Sequence, residues 1–387
     1  MVPGRRLIPR DSHLPRWQLA WRNLVSDWRN RLVGSSRFQQ WASRFPLTRP
    51  VARNQAGALF DLCAGFVYSQ ILYTCVKVGL FELLSKGPQT LDTLSRCIDL
   101  PAEATQRLVT AAVALELLEL RGKDLYGLSM HGAVLAGNAG IRAMILHHRL
   151  LYDDLRDPIA LLRGDMPSTA LSRFWSYARS GHARELGDDQ TGPYSDLMAV
   201  SQSIIAGEVL STYSLRKHKC LLDVGGGTGT FLAEAATRWP HLRIHLFDLP
   251  AVAEQGAVNL ARRGFAQRMT VTGGDFLSDS LPEGADLISL VRVIHDHDDD
   301  SVLRLLRAIH DRLPVDGTLL LAEPMAGHKH GEKAADAYFG LYLAAMGSGR
   351  ARTPTEIGLL LKETGFRSLR LLENGMPMQT RVMLARR

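Results

Sequence analysis

The stretch LLDVGGGTGTF, Leu221–Phe231, constrains the fold more than any other part of the chain. An apolar run that ends in an acid and then places glycine at every second position, Gly225, Gly227 and Gly229, reads as a buried strand opening into a turn. Glycine there lets backbone approach a ligand where a Cβ would intrude. Downstream, strand-length apolar runs (RIHLFDLP, RMTVTGGDF, ADLISLVRVIH, GTLLLAEPM) alternate with segments of helical period (TFLAEAATRWP, AVAEQGAVNLARRG, DDSVLRLLRAIHDRL, TPTEIGLLLKETGF). That alternation predicts an α/β fold, a Rossmann-like doubly wound parallel sheet that takes its ligand at the carboxyl ends of the strands. The glycine turn, Asp248 in FDLP and Asp275 in GDF then share one sheet edge.

The pattern narrows the ligand. A dinucleotide fingerprint requires glycine at position 230, where Thr230 stands. Asp248, which ends the second strand, is placed to accept hydrogen bonds from a ribose diol. Asp275 and Phe276, after the third strand, are placed to hydrogen-bond and pack on a purine. The fourth strand runs into VRVIHDHDDDS, with two histidines and four aspartates between His295 and Asp300. Asp298, Asp299 and Asp300 precede a helix whose N-terminal dipole they complement. On an extended segment His295 and His297 point opposite ways and no distant ligand stands out, so no metal is assigned. HKH at 328–330 reads as a solvated loop.

The first half of the chain is different. Residues 1–53 hold eleven arginines, no lysine and two acids, so this arm carries +9 of a net +7 and the other 334 residues carry −2. The arm also holds four of the six tryptophans. On a helix Leu14, Trp17, Trp21, Leu24, Val25, Trp28 and Leu32 form one stripe flanked by Arg22, Arg29 and Arg31, which suits a membrane interface, or the protein's own body or a second subunit, with nucleic acid as the third option for an Arg-rich arm. Further on, TLDTLSRCIDL and PAEATQRLVTAAVALELL read as two helices and LELRGKDLYGLS as a hairpin, the winged-helix order. Residues 91–128 hold four bases and six acids, the wrong sign for a phosphate backbone, so no nucleic-acid partner is expected.

These boundaries give an arm over 1–53, a mainly α winged-helix domain over 54–200 and a ligand-binding domain over 201–387. With 46% apolar and 22% charged residues the chain reads as globular. It shows no signal peptide and no CxxC pair, and no apolar run near membrane-spanning length is expected, so a cytoplasmic protein is the simplest reading.

Taken together these motifs resemble the class I S-adenosylmethionine-dependent methyltransferases, in the O-methyltransferase group that includes the plant caffeate-type enzymes, over roughly residues 60–387. The resemblance implies a homodimer built by the winged-helix domain, which also covers the acceptor. It implies an S-adenosyl-L-methionine site formed by Asp223, Gly225, Gly227, Gly229, Asp248, Leu249, Asp275, Phe276 and Arg292. His295 matches the family's general base and Glu323, in LLLAEPM, an acid that fixes its tautomer, with Asp296 mainly positional. Two departures stand out: His297 replaces the family's tryptophan after His-Asp, and Ala351–Thr353 lacks the acid of the family's Glu-Arg-Thr. Within the family, WRNRLVGSSRFQQWASRFPLTRPVAR, LFDLCAGFVYSQILYTCVKVGLFELL, YSDLMAVSQSIIAGEVL and GRARTP resemble the carotenoid O-methyltransferases of phototrophic bacteria. That implies methylation of the C-1 tertiary hydroxyl of a hydrophobic acyclic carotenoid in the spheroidene and spirilloxanthin pathway, with the arm on the membrane. O-methylation of a small phenol or quinone and C-methylation of a pigment macrocycle remain as alternatives. Met144, Tyr338, Phe339, Tyr342 and Met346 are acceptor-pocket candidates by position.

Overall fold

The computed structural model describes residues 16–175, 202–327, 333–375 and 380–387. The HKH segment, Leu14 of the arm stripe and the start of YSDLMAVSQ lie outside them. The arm forms α1 (Arg16–Gly34) and α2 (Ser36–Arg44), followed by the long α3 (Arg49–Lys77) and α4 (Leu80–Leu84). Strand β1 (Gln89–Thr90) leads to α5 (Leu91–Ile98) and α6 (Ala102–Ala114), then to the hairpin β2 (Leu118–Gly122) and β3 (Leu125–Leu128). The helix expected to run through Leu118 stops at Ala114. Glu116 takes a left-handed φ of 55° and Leu118 already pairs with Leu128. The hairpin and β1 form a three-stranded sheet in the order β1-β3-β2. Helices α7 (Met130–Gly137), α8 (Ala139–Asp154), α9 (Pro158–Arg163) and α10 (Ala170–Phe174) complete this half.

After helix α11 (202–212) come β4 (Cys220–Val224), α12 (Thr230–Arg238), β5 (Arg243–Asp248), α13 (Pro250–Arg262), β6 (Met269–Gly273) and β7 (Leu287–Val291). Then follow α14 (Asp299–Arg312), β8 (Thr318–Glu323), α15 (Phe339–Met346), α16 (Pro354–Glu363), β9 (Arg367–Leu372) and β10 (Arg381–Arg386). The sheet order is β6-β5-β4-β7-β8-β10-β9. The expected parallel sheet is corrected at one strand: β10 runs antiparallel to both β8 and β9. The connection from β9 is shorter than the dozen or so residues a parallel crossover needs. One apolar layer packs α11 and α12 on one face of the sheet, and a second packs α14 and α16 on the other.

The halves meet through α8, α9, α10 and α15, whose Leu151, Leu161, Leu171, Tyr342, Leu343 and Met346 share one buried cluster. The winged-helix half keeps its own core around Leu80, Phe81, Leu94 and Val109. Two surfaces remain apolar and open. Trp17, Trp21 and Trp28 are 70%, 64% and 66% exposed, so the α1 stripe is not covered by the described residues. Leu59, Phe60, Leu62 and Phe66 on α3 are exposed as well. By length and composition alone α3 would be long and apolar enough to cross a membrane, although, as expected, no uninterrupted apolar run of that length occurs. Scattered Asp61, Ser69, Gln70 and Thr74 hide this when the sequence is read for uninterrupted apolar runs.

Candidate active site

The carboxyl ends of β4, β5, β6, β7 and β8 lie along one edge, and the residues singled out in the sequence gather there. Gly225, Gly227 and Gly229 have φ of 68°, 57° and 77°, which a side chain would strain. A Cβ at Gly225 would lie 2.9 Å from Val293, whereas nothing stands within 4 Å of one at Gly227. The turn is therefore packed against Val293 at Gly225, against Leu246 and Asp223 at Gly226 and against Leu260 at Gly229, and open at Gly227. Asp248 ties the turn to β5: its Oδ2 accepts from the Gly227 N–H at 2.7 Å and its Oδ1 from the Leu249 N–H at 2.7 Å. Each oxygen keeps a lone pair for an incoming hydroxyl. Burial, opposed by those two N–H groups, raises the Asp248 pKa to about 6.

Asp223, inside β4, is almost fully buried. Its Oδ1 accepts from the Ser289 hydroxyl at 2.5 Å, and its Oδ2 has no partner among the described residues. Burial raises its pKa to about 7. An orphaned buried carboxylate oxygen below an open glycine turn suits a ligand bearing a cationic amino group, and the two free lone pairs on Asp248 suit a diol. Both features fit S-adenosylmethionine. Beyond β6, Asp275 is engaged locally: its Oδ1 accepts from the Leu277 N–H at 2.9 Å. Phe276 meets His297 edge to face at 5.2 Å. His297 thus takes part in the wall where the family carries tryptophan. Burial lowers its pKa, which keeps the ring neutral.

Residues Ile294–Asp296 form a turn of 3₁₀ helix, not the extended segment assumed for the two histidines. Glu323 holds this turn with both oxygens. Oε1 accepts from the Val293 and Ile294 N–H groups at 2.8 and 2.9 Å, and Oε2 from His295 Nδ1 at 2.8 Å. The opposite nitrogen, Nε2, lies 3.0 Å from Asp296 Oδ1. Burial alone would lower the His295 pKa, but Asp296 and Glu323 outweigh it against the opposing charge of Arg292, and the result is raised. Arg292 closes β7 with a left-handed φ of 60°, its N–H bonded to the Ala322 carbonyl at 2.8 Å. Asp299 sits in the first turn of α14, as the dipole argument expects, and is also paired with Arg350 and Arg352.

Across from His295, the Phe339 ring lies 6.1 Å away. Three of the acceptor-pocket candidates, Tyr338, Phe339 and Tyr342, form one aromatic group with α8. Trp175 Nε1–H donates to the Tyr342 oxygen at 2.8 Å, and Tyr342 stands 2.7 Å from His147 Nε2. Burial lowers the His147 pKa to about 4, so the ring that meets Tyr342 is neutral. His148 pairs with Tyr338 at 2.7 Å. Met346 is buried in the core beneath, and Met144 is half-buried on α8. Sequence reasoning missed His147, His148, Trp175, Ser289 and Arg352, since nothing local in the chain announces their long-range partners.

Residues 152–367 match the O-methyltransferase domain and residues 60–137 the O-methyltransferase dimerisation domain. Demethylspheroidene O-methyltransferase of Cereibacter sphaeroides is 41% identical over 88% of this chain and 89% of its own. The enzyme of the same description from Rhodobacter capsulatus is 38% identical over 92% and 88%. Among solved structures, human N-acetylserotonin methyltransferase in complex with SAM superposes with a TM-score of 0.72 at 25% identity, covering 86% of this chain and 97% of that one. The pyocyanin biosynthetic protein PhzM gives 0.73 at 24% over 86% and 99%, a likeness of fold.

Proposed function

The chain belongs to the S-adenosylmethionine-dependent O-methyltransferase family, and we propose that it methylates the C-1 tertiary hydroxyl of an acyclic 1-hydroxycarotenoid as a homodimer at a membrane surface. The observation that carries this reading is His295, fixed between Glu323 and Asp296 on the edge that holds the glycine turn, facing an aromatic wall. Two relatives named for demethylspheroidene, at 41% and 38% identity, support the acceptor class.

S-adenosylmethionine supplies an already activated methyl group, so the protein has to align the acceptor and take a proton. We assign the glycine turn, Asp223 and Leu249 to the methionine and ribose side, Asp248 to the ribose diol, and Asp275, Phe276 and Arg292 to the adenine side and its edge. His295 donates Nδ1–H to Glu323, and because its Nε2 faces Asp296 Oδ1 at 3.0 Å, the acceptor hydroxyl has to displace that carboxylate to give its hydrogen to Nε2. A tertiary alcohol is a far weaker acid than a phenol, so the proton reaches Nε2 late, as the oxygen–carbon bond forms. Glu323 and Asp296 then stabilise the imidazolium, and Asp296 supplies the second carboxylate that Ala351 lacks. The division at residues 53 and 200 belongs to the same reading: a cofactor domain, a domain that dimerises and covers the acceptor, and an arm.

We read the arm as a peripheral membrane contact on the cytoplasmic side. Its indoles face outward, its charge is +9, and the matched dimerisation domain begins at residue 60, beyond it. The test of function is methyl transfer from labelled S-adenosylmethionine in liposomes, with a 1-hydroxycarotenoid and a catechol offered side by side. Label in the carotenoid as a methyl ether is the expected result. Label in the catechol alone would sink the acceptor assignment while leaving the cofactor site standing.

A further inference from the structure

The turn that carries His295 is gripped from two sides, and only one of them is Glu323. The other is the segment Ser348–Arg352. Arg352 is 2% exposed, and its Nη1 and Nη2 donate to the carbonyls of Ile294 at 2.6 Å and His297 at 2.7 Å, at the start of the catalytic turn and just past its end. Its Nε donates to Asp299 Oδ1 at 2.8 Å, tying the turn to the start of α14. The Ser348 hydroxyl donates to the Asp296 carbonyl at 2.9 Å, and the Gly349 N–H to Asp298 Oδ1 at 3.2 Å. Gly349 lies so close that a Cβ there would come within 2.1 Å of the His295 carbonyl oxygen, and its φ is 78°. Ser348 and Arg352 therefore hold the carbonyls of Ile294, Asp296 and His297 from outside, while Glu323 holds the amides from inside.

We propose that Arg352 is a positioning residue for His295: its fork sets the rotation of the catalytic turn, so that this chain holds its base by the main chain where the family's Glu-Arg-Thr adds an acid. The inference rests on the reading of His295 as the base. A planar guanidinium can bridge two carbonyls and a carboxylate at once, whereas a lysine ammonium is a point charge on a flexible stem. Glu323, Asp296, Arg292 and His297 are the charged and titratable groups that face or adjoin the imidazole. A tilted turn lengthens the Nδ1 contact with Glu323 and weakens the carboxylate's hold on the charged ring.

The experiment compares wild type with Arg352→Lys and Gly349→Ala by three readings: kcat, the Kd of S-adenosylhomocysteine, and the NMR titration of His295 in the protein without acceptor. Both variants are expected to lose kcat by about 10²-fold, as a small misplacement of a catalytic group does. Cofactor-product binding should change by less than about twofold, and the His295 titration should move to lower pH in both. If kcat and the titration stay at wild-type values while only thermal stability falls, Arg352 is structural and the proposal is overturned. Gly349→Ala leaves the Arg352 side chain in place and displaces the same turn, so it decides the matter should the buried lysine prevent folding. Because the NMR titration needs no turnover, it separates failure of this inference from failure of the base assignment, which His295→Ala tests.

Discussion

An imidazole held between two carboxylates is charged more readily than one in water, and this bears on both rate and pH dependence. As the proton acceptor His295 must be neutral before turnover, so kcat should fall as pH drops through its raised pKa, above the ordinary value of about 6.5. Replacing Glu323 by Gln removes one raising charge. The acid limb of the kcat profile should then move to lower pH, and an unmoved limb would show that Glu323 does not govern the base. His295→Ala should cost about 10²- to 10⁴-fold in kcat, the usual worth of a positioned proton acceptor, with S-adenosylhomocysteine bound as before. Tyr342 presents a separate residue-scale question, because its oxygen takes a hydrogen bond from Trp175 and its hydroxyl is hydrogen-bonded to neutral His147. Tyr342→Phe strands two buried groups and should lower unfolding stability by roughly 1–3 kcal/mol in urea denaturation. A loss within experimental error would mean that the two groups find other partners.

Among the elements, the arm helices and α15 differ in how far the sequence reveals them. The strands and helices of the cofactor half follow from apolar period alone, because each buries one face on a single sheet and period carries that information. The glycine turn, Asp248 and His295 were legible for the same reason, as strand ends of one sheet must share an edge. The turn at Ile294–Asp296 was not, since a 3₁₀ turn is imposed by Glu323 and Arg352, which lie about 30 and 60 residues further along. Tyr338, Phe339 and Tyr342 were legible as candidates by position, but their partners on α8 were not, since the His147–Tyr342 contact spans 195 positions. The arm was legible as an amphipathic stripe, but period cannot tell which surface covers it. Trp17, Trp21 and Trp28 stay exposed against the described residues, so the proposal that a membrane covers the stripe is tested against a second subunit. Trp17→Ala, Trp21→Ala and Trp28→Ala combined should abolish co-sedimentation with phosphatidylglycerol vesicles while the dimer mass stays unchanged. Vesicle binding that survives, or a dimer that dissociates, would assign the stripe to the subunit interface instead.

At the scale of the whole molecule, the cofactor site is held open at a cost in stability that depends on pH. Asp223 and Asp248 titrate at about 7 and about 6 in the fold against an ordinary 3.8, because both are buried near each other and only partly compensated. A carboxyl whose pKa is higher folded than unfolded contributes stability fully below its unfolded value and loses it as pH rises through the folded one. The same sign holds for His295, raised in the fold. Depressed carboxyls such as Asp286 and Asp299 act oppositely, their contribution vanishing only as pH falls into the acid range. Histidines lowered by burial, among them His147 at about 4 and His297, also act oppositely below their ordinary 6.5. The raised carboxyls are therefore isolated by comparison: relative to Asp223→Asn, the ligand-free wild type should lose melting temperature as pH rises from about 4 to about 7. Asp223→Asn carries no titrating proton and should flatten that slope in thermal unfolding across the same range. S-adenosylhomocysteine should flatten it as well, because a cationic amino group set against the unpartnered Asp223 oxygen favours the ionised carboxylate that burial disfavours. If the product raises the melting temperature equally at every pH, its amino group does not reach Asp223, and the orphaned oxygen serves some other part of the ligand.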